Sequence, residues 1–270
     1  MPPLSVPVTF ATMSTAPTPR FAVIIPACDE EPCLGAVLEE LRAALAGHSH
    51  LLAVGVNGSV DRTAEIARAH GALVAETAAR GYGHGCLAAI DLLEREHPPV
   101  DGYVFFAADG ANDPRDLAAL FAARARGAEM VLGCRTRLRA NWRLMNLQYV
   151  IANRVFGAWC GCLTGRFFAD LGPLRFIGRE LFHALRLREW TMGWTIEAQI
   201  RAARLGAEIV EVPVRERERL AGRQKVSRVS LRRTFSVGAQ IIAAGFRARF
   251  GDYAPVSAPV PAVPAAPALH

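Results

Sequence analysis

The sequence contains no run of about 18 or more residues free of charged and strongly polar groups, which excludes a transmembrane helix. The best stretch, Leu144 to Leu163, is broken by Asn146, Gln148, Asn153 and Arg154. The first 19 residues hold no Lys or Arg and no compact apolar run, so no secretory leader is expected. None of the six cysteines forms a CxxC pair. Reduced, mostly buried thiols and a cytoplasmic location are therefore expected. Cys160-Gly161-Cys162 lacks a second ligand pair, and the seven histidines show no metal-ligand spacing. The net charge of +6 comes with no nucleic-acid docking motif and no row of stacking aromatics, which argues against a nucleic-acid partner. A nucleotide, a phosphorylated lipid or an anionic membrane face suits that charge better.

What is present is an apolar content of 51%, enough for a packed core. Residues 1–19 and the Ala/Pro-rich residues 251–270 read as disordered ends. Between them, apolar runs alternate with helical spacings. Phe21 to Ala27 (FAVIIPA) reads as a strand buried on both faces. Leu34, Val37, Leu38, Leu41 and Leu45 follow at helical spacing behind Pro32. Strands are expected at 51–56, 73–76, 103–108 and 130–133, with helices at 62–70, 86–96 and after Pro114. Such alternation implies an α/β fold with a mostly parallel sheet flanked by helices.

In such sheets ligands bind beyond the carboxyl ends of the strands. Those ends carry Asp29 and Glu30, Asn57 and Asp61, Arg80, and Asp109 and Asp113. Polar groups thus converge on one sheet edge. Asp61 also suits a helix N-cap, and Asp113 suits a cap for the helix opened by Pro114.

The alternation stops near residue 135. A helix or helix pair is expected at 141–163, a strand at 174–178, helices at 179–187 and 195–205, and a strand at 208–214. A basic amphipathic helix is expected at 228–250, with Leu231, Thr234, Phe235, Gly238, Ile241, Ile242, Gly245 and Phe246 on one face. With its arginine flank, it suits a membrane surface as well as packing on the body.

The segments VIIPACDEE (23–31), VNGSVDRTAEIA (56–67), RGYGHG (80–85), AADGANDPRDL (107–117) and LGCR (132–135) resemble the nucleotide-binding half of family 2 glycosyltransferases with the Rossmann-like GT-A fold. DLGPLRFIGRE (170–180), WTIEAQIRAARLG (194–206) and EVPVRERERLAGRQK (211–225) are similar to the acceptor half of the dolichol-phosphate mannosyltransferase and glucosyltransferase branch. The resemblance implies a GT-A domain over 20–227, with its nucleotide half at 20–135 and its acceptor half at 136–227.

The resemblance also implies roles. Pro26, Ala27, Asp29, Glu30, Asn57, Asp61, Arg80 and Ala108 would line a UDP- or GDP-hexose. Asp109 matches the second acid of the DxD motif, which holds Mg²⁺ or Mn²⁺ against the diphosphate. Arg175, Arg219 and Lys225 would hold an acceptor phosphate. The chain departs from the pattern at Ala107, where the first acid is missing, and at Val56, Gly172-Pro173 and Gln224. One carboxylate, the diphosphate and water still suffice for Mg²⁺.

The implied reaction moves a hexosyl unit, with inversion, to a lipid phosphate such as a polyprenyl or dolichyl phosphate. An alternative is transfer to a hydroxyl of a glycolipid or small molecule, with Glu197 as base and Asp170 as a second candidate. A nucleotide-sugar-binding homologue without catalysis is the alternative that Ala107 raises.

Overall fold

The computed structural model describes residues 21–145, 147–191, 193–221 and 231–251, excepting the side chains of 231–237. Lys225, the terminal segments before residue 21 and after 251, and the side chains of Leu231, Thr234 and Phe235 lie outside the described residues.

A seven-stranded sheet runs in the order β3-β2-β1-β4-β6-β5-β7. Its strands are β1 (Phe21–Ala27), β2 (His50–Asn57), β3 (Leu73–Thr77), β4 (Gly102–Phe105), β5 (Met130–Cys134), β6 (Arg175–Gly178) and β7 (Ile209–Pro213). The helices are α1 (Glu31–Ala44), α2 (Thr63–Ala69), α3 (Tyr82–Glu96), α4 (Leu117–Ala125), α5 (Trp142–Met145), α6 (Leu147–Thr164), α7 (Arg179–Leu185), α8 (Trp194–Arg204) and α9 (Leu231–Phe250).

Side chains alternate across the sheet, which makes two cores from one apolar run. Ala22 and Ile24 of β1 face a core closed by α3, α7 and α8. Val23 and Ile25 face the opposite core, closed by α1 and α4. The helix α3 lies so close over β2 that a Cβ on Gly55 would stand 1.8 Å from the carbonyl oxygen of Gly85. Only glycine permits that approach.

All neighbouring strand pairs are parallel except those of β6, which runs antiparallel to both β4 and β5. The consequence is positional. The start of β6 lies at the edge where its neighbours end, with Arg175 opposite Phe105 and Leu132. The amphipathic α9 packs on α8 through buried Ala244, Gly245 and Ala248. Its expected single apolar face is divided: Gly245 is buried, whereas Ile242 and Phe246 are exposed.

Candidate active site

The carboxyl ends of β1, β2 and β3 are fastened by hydrogen bonds between their loops. Asp29, held at φ 53°, accepts from the backbone of Val60 at 2.8 Å and pairs with Arg80 at 3.0 Å. Arg80 also donates to the carbonyl of Gly58 at 3.1 Å. Asn57, buried, donates to the carbonyl of Gly81 at 2.6 Å and so fixes the residue that precedes α3. Asp61 accepts from the backbone of Thr63 and of Glu31, both at 3.1 Å. Burial opposes ionisation of Asp61, but the bonds from Thr63 and Glu31 outweigh it and hold its carboxyl below the usual value. Asp61 thus ties the starts of α1 and α2 together. Pro26 and Ala27 end β1 beside Gly55 and Val56 of β2.

Beyond β4, the loop 107–113 is braced from within. Buried Asn112 accepts from the backbone of Ala107 at 2.9 Å, and Asp109 accepts from that of Ala111 at 3.0 Å. Ala108 is buried, so it contributes packing beside Asp109. Asp113 accepts from the backbone of Arg115 at 3.0 Å, the cap expected at Pro114. Hydrogen bonding to Arg115 brings the Asp113 carboxyl down to about 2.

The segment after β7 runs back along this loop. Arg217 donates to the carbonyl of Ala111 at 2.8 Å and Leu220 to that of Asp109 at 3.1 Å. This brings Arg219 against two acids. Its guanidinium pairs with Glu30 and lies 3.6 Å from Asp109. Burial would lower the Arg219 pKa, but the bond and charge of Glu30 raise it above its usual value. Glu30 and Asp109 therefore meet at one edge, as the convergence of strand ends predicts, and Arg219 joins them there from the segment after β7.

Two of the expected site residues are engaged in holding the fold. Arg175 reaches the correct edge but is wholly buried. Its guanidinium donates to the carbonyls of Gly172 and Thr195 and stacks 5.8 Å from the ring centre of Trp194. Burial lowers its pKa. It organises the start of β6 and α8 and presents no open face to a phosphate. Glu197 is also wholly buried, and its carboxylate accepts from the backbone of Arg188 at 3.0 Å and of Glu189 at 2.9 Å. It anchors the loop before α8 rather than facing an acceptor hydroxyl. That loop in turn holds α3: Trp190 stacks on His84 at 4.9 Å, and its carbonyl accepts from the His84 backbone at 3.1 Å.

Asp170, the second base candidate, is committed to a two-pronged pair with Arg135 at 2.9 and 3.0 Å. Sequence reasoning passed over Glu216. Its Oε1 lies 3.4 Å from Arg135, and its Oε2 is buried with no hydrogen-bond partner among the described residues. Burial, with the charges of Asp170 and Asp109 adding to it, pushes the Glu216 carboxyl up to about 7 against the pull of Arg135. Alternation of Arg and Glu over 215–219 hid it, because such a run reads as a solvated face.

Among the described residues no group of three or more His, Cys, Asp or Glu is arranged to hold a metal. Asp109 is the acid that fits a hard cation: its side chain is 30% exposed at the sheet edge. A cation held there would have one protein carboxylate and would take its remaining oxygen ligands from a diphosphate and water.

No family model matches the chain. An uncharacterized glycosyltransferase of Mycobacterium tuberculosis is 32% identical over 207 residues, covering 76% of this chain and 88% of the relative. The dolichyl-phosphate hexose transferase of Haloferax volcanii is 32% identical over 217 residues, covering 76% and 86%. In fold the chain is similar to glucosyl-3-phosphoglycerate synthase of Mycobacterium tuberculosis bound to phosphoglyceric acid, with a TM-score of 0.63 at 22% identity over 86% of this chain and 80% of that one. The same synthase with Mn²⁺, UDP-glucose and phosphoglyceric acid gives a TM-score of 0.59 at 21% identity over 85% and 79%. Sequence and fold agree, and the chain belongs to the GT2-like glycosyltransferases built on the GT-A fold.

Proposed function

We propose that the protein transfers a hexosyl unit from a UDP- or GDP-sugar to a polyprenyl- or dolichyl-type lipid phosphate, with inversion, at a membrane surface. The observation that carries this reading is the junction of Arg219 with Asp109 and Glu30 at the ligand edge. A phosphate acceptor is already anionic at neutral pH and needs no strong base. The task left to the protein is positioning and charge stabilisation. The similarity to a dolichyl-phosphate hexose transferase supports the acceptor class.

In this reading the loops at 26–30 and 57–61, with Arg80, cradle the nucleotide. Arg219 and Lys225 hold phosphate oxygens. Asp109 would hold Mg²⁺ or Mn²⁺, which neutralises charge on the departing diphosphate when bound. The relative in fold, crystallised with Mn²⁺ and UDP-glucose, supports that cofactor. Residues 20–227 are the catalytic unit in this reading, and the basic segment 228–250, which includes α9, meets the acceptor's surroundings.

A second reading, transfer to a hydroxyl, rests on Glu216. Its unpartnered oxygen and its pKa of about 7 suit a general base better than the engaged Glu197. The experiment incubates the purified protein with labelled UDP- and GDP-hexoses, Mg²⁺ or Mn²⁺ and a lipid extract. Label entering the organic phase and released by mild acid supports a sugar–phosphate bond. Acid-stable lipid label, or label on a small polar acceptor, overturns it in favour of the hydroxyl reading.

A further inference from the structure

The stretch Leu144 to Leu163, too polar to cross a membrane, takes in the end of α5 and most of α6, and α6 carries an apolar row that no described residue covers. Leu147, Ile151 and Val155 recur every fourth residue and are 60%, 53% and 60% exposed. On a helix this spacing makes one stripe. The adjoining α9 shows a matching row, Ile242, Phe246 and Phe250, all exposed. The two helices touch: Phe246 packs edge-on to Trp159 of α6 at 5.4 Å, and Arg249 donates to the carbonyl of Leu163 at 2.8 Å. Because Phe246 is both packed on α6 and 47% exposed, the apolar surface crosses the junction between the helices. Monomeric soluble proteins rarely leave a contiguous patch of this kind uncovered.

Charge decides what covers it. Residues 135–169 contain six arginines and no Asp or Glu, and residues 219–251 again contain no Asp or Glu. Arg139, Arg143 and Arg154, all exposed, make no ion pair with another described residue. Arg154 lies over the ring of Trp142 at 5.8 Å. A second copy of the chain, meeting this face with its own, would bring arginine against arginine. An anionic lipid surface offers both an apolar layer for the row and phosphate for the rim.

We propose that α6 and α9 together form a docking face for an anionic bilayer, with Leu147, Ile151 and Val155 entering the interface and Arg143 and Arg154 resting on headgroup phosphate. Among the described residues no helix is long and apolar enough to cross a membrane, so the attachment lies along the surface. The face is also tied to the site. The α5–α6 segment leaves the carboxyl end of β5 just after Arg135, and Asn141 before it donates to the carbonyl of Val214 at 2.8 Å, beside Glu216.

This inference rests on the lipid-acceptor reading for its purpose but not for its test. Vesicles of phosphatidylcholine, with and without about a quarter phosphatidylglycerol, are sedimented with the full chain in the absence of sugar donor. Binding to the anionic vesicles that weakens with salt is expected. Ile151→Glu with Val155→Glu, and separately Arg143→Glu with Arg154→Glu, are expected to lower partitioning by at least about tenfold. Unchanged thermal melting and UDP binding would show that the variants fold. Failure of the wild-type protein to bind anionic vesicles overturns the proposal, as does undiminished binding by the Ile151/Val155 variant. A dimer in light scattering that this variant abolishes, without vesicle binding, also overturns it and assigns the face to self-association. If vesicle binding holds while transfer to lipid fails, the acceptor reading falls alone.

Discussion

Nη1 of Arg219 stands 3.6 Å from Oδ2 of Asp109, so the cation of the segment after β7 sits on the acid of the loop after β4. Arg219 is largely buried and also bonds Glu30, so its removal takes one cation away from both acids. Arg219→Ala is expected to lower kcat/KM by about 100-fold, the scale of losing one oriented donor to a developing charge. Arg219→Lys, which keeps the charge and loses the fork, is expected to restore part of it. Steady-state kinetics of both variants, with thermal melts as a check on folding, decide the matter. Equal rates for alanine and wild type would remove Arg219 from the site.

Glu216 gives a pH-dependent stability with a defined sign. Its carboxyl is raised from 4.5 to about 7 in the folded state, mainly by burial. Between those values the folded protein holds a proton that the unfolded chain has released, so stability falls as pH rises through this window. The ceiling of the effect is on the order of 3 kcal/mol. Glu216→Gln abolishes this contribution. Urea melts at pH 5 and pH 8 are expected to show the wild type losing more stability than the variant over that interval. Parallel curves would contradict the assignment.

Glu197→Gln separates an anchor from a base. The carboxylate holds the backbone N–H groups of Arg188 and Glu189, in a loop whose Trp190 packs on His84 at the start of α3. Glutamine keeps an acceptor oxygen but loses the charge. A loss of roughly 1–3 kcal/mol is expected. Transfer should persist, with KM for the nucleotide sugar rising more than kcat falls. A fall in kcat of about 1000-fold at unchanged KM would restore the base role.

These contrasts mark what the sequence makes legible. The FAVIIPA run and the Asp113 cap follow from local rules, and the structure places both at their expected positions, whereas α3 starts at Tyr82, four residues before the expected 86, so Gly83 and Gly85 lie in its first turn. Convergence of Asp29, Asn57, Arg80 and Asp109 on one edge follows from strand order alone. Local rules do not reach the direction of β6, because a short apolar run reads alike in parallel and antiparallel pairs. The burial of Arg175 is out of reach for a related reason: charge marks a residue as exposed unless its partners are known, and here they are the carbonyls of Gly172 and Thr195. The same holds for Glu197, whose backbone partners leave no trace in the sequence. The stripe on α6 was visible only as a failed membrane span, since periodicity shows that a face is apolar and not whether anything covers it.

The missing acid at Ala107 gives a gain-of-function test. Asp109 is the acid at the sheet edge that fits a hard cation, and Arg219 shares its Oδ2. Mg²⁺ and Mn²⁺ held by one protein carboxylate depend on the substrate diphosphate for further ligands, so metal and nucleotide should bind together rather than in sequence. Titration of Mn²⁺ without nucleotide is expected to show weak binding that UDP strengthens. Ala107→Asp adds a second carboxylate to the same loop and should lower the half-saturating Mn²⁺ concentration by at least about tenfold, with the dependence on UDP reduced. Asp109→Asn is the mirror experiment: it should abolish metal-stimulated transfer while leaving the melting temperature near that of the wild type, because its Oδ1 bond to the Ala111 backbone survives in the amide. Metal affinity unchanged by Ala107→Asp, together with full activity of Asp109→Asn, would show that the leaving diphosphate is neutralised by arginine alone, with Arg219 as the first candidate.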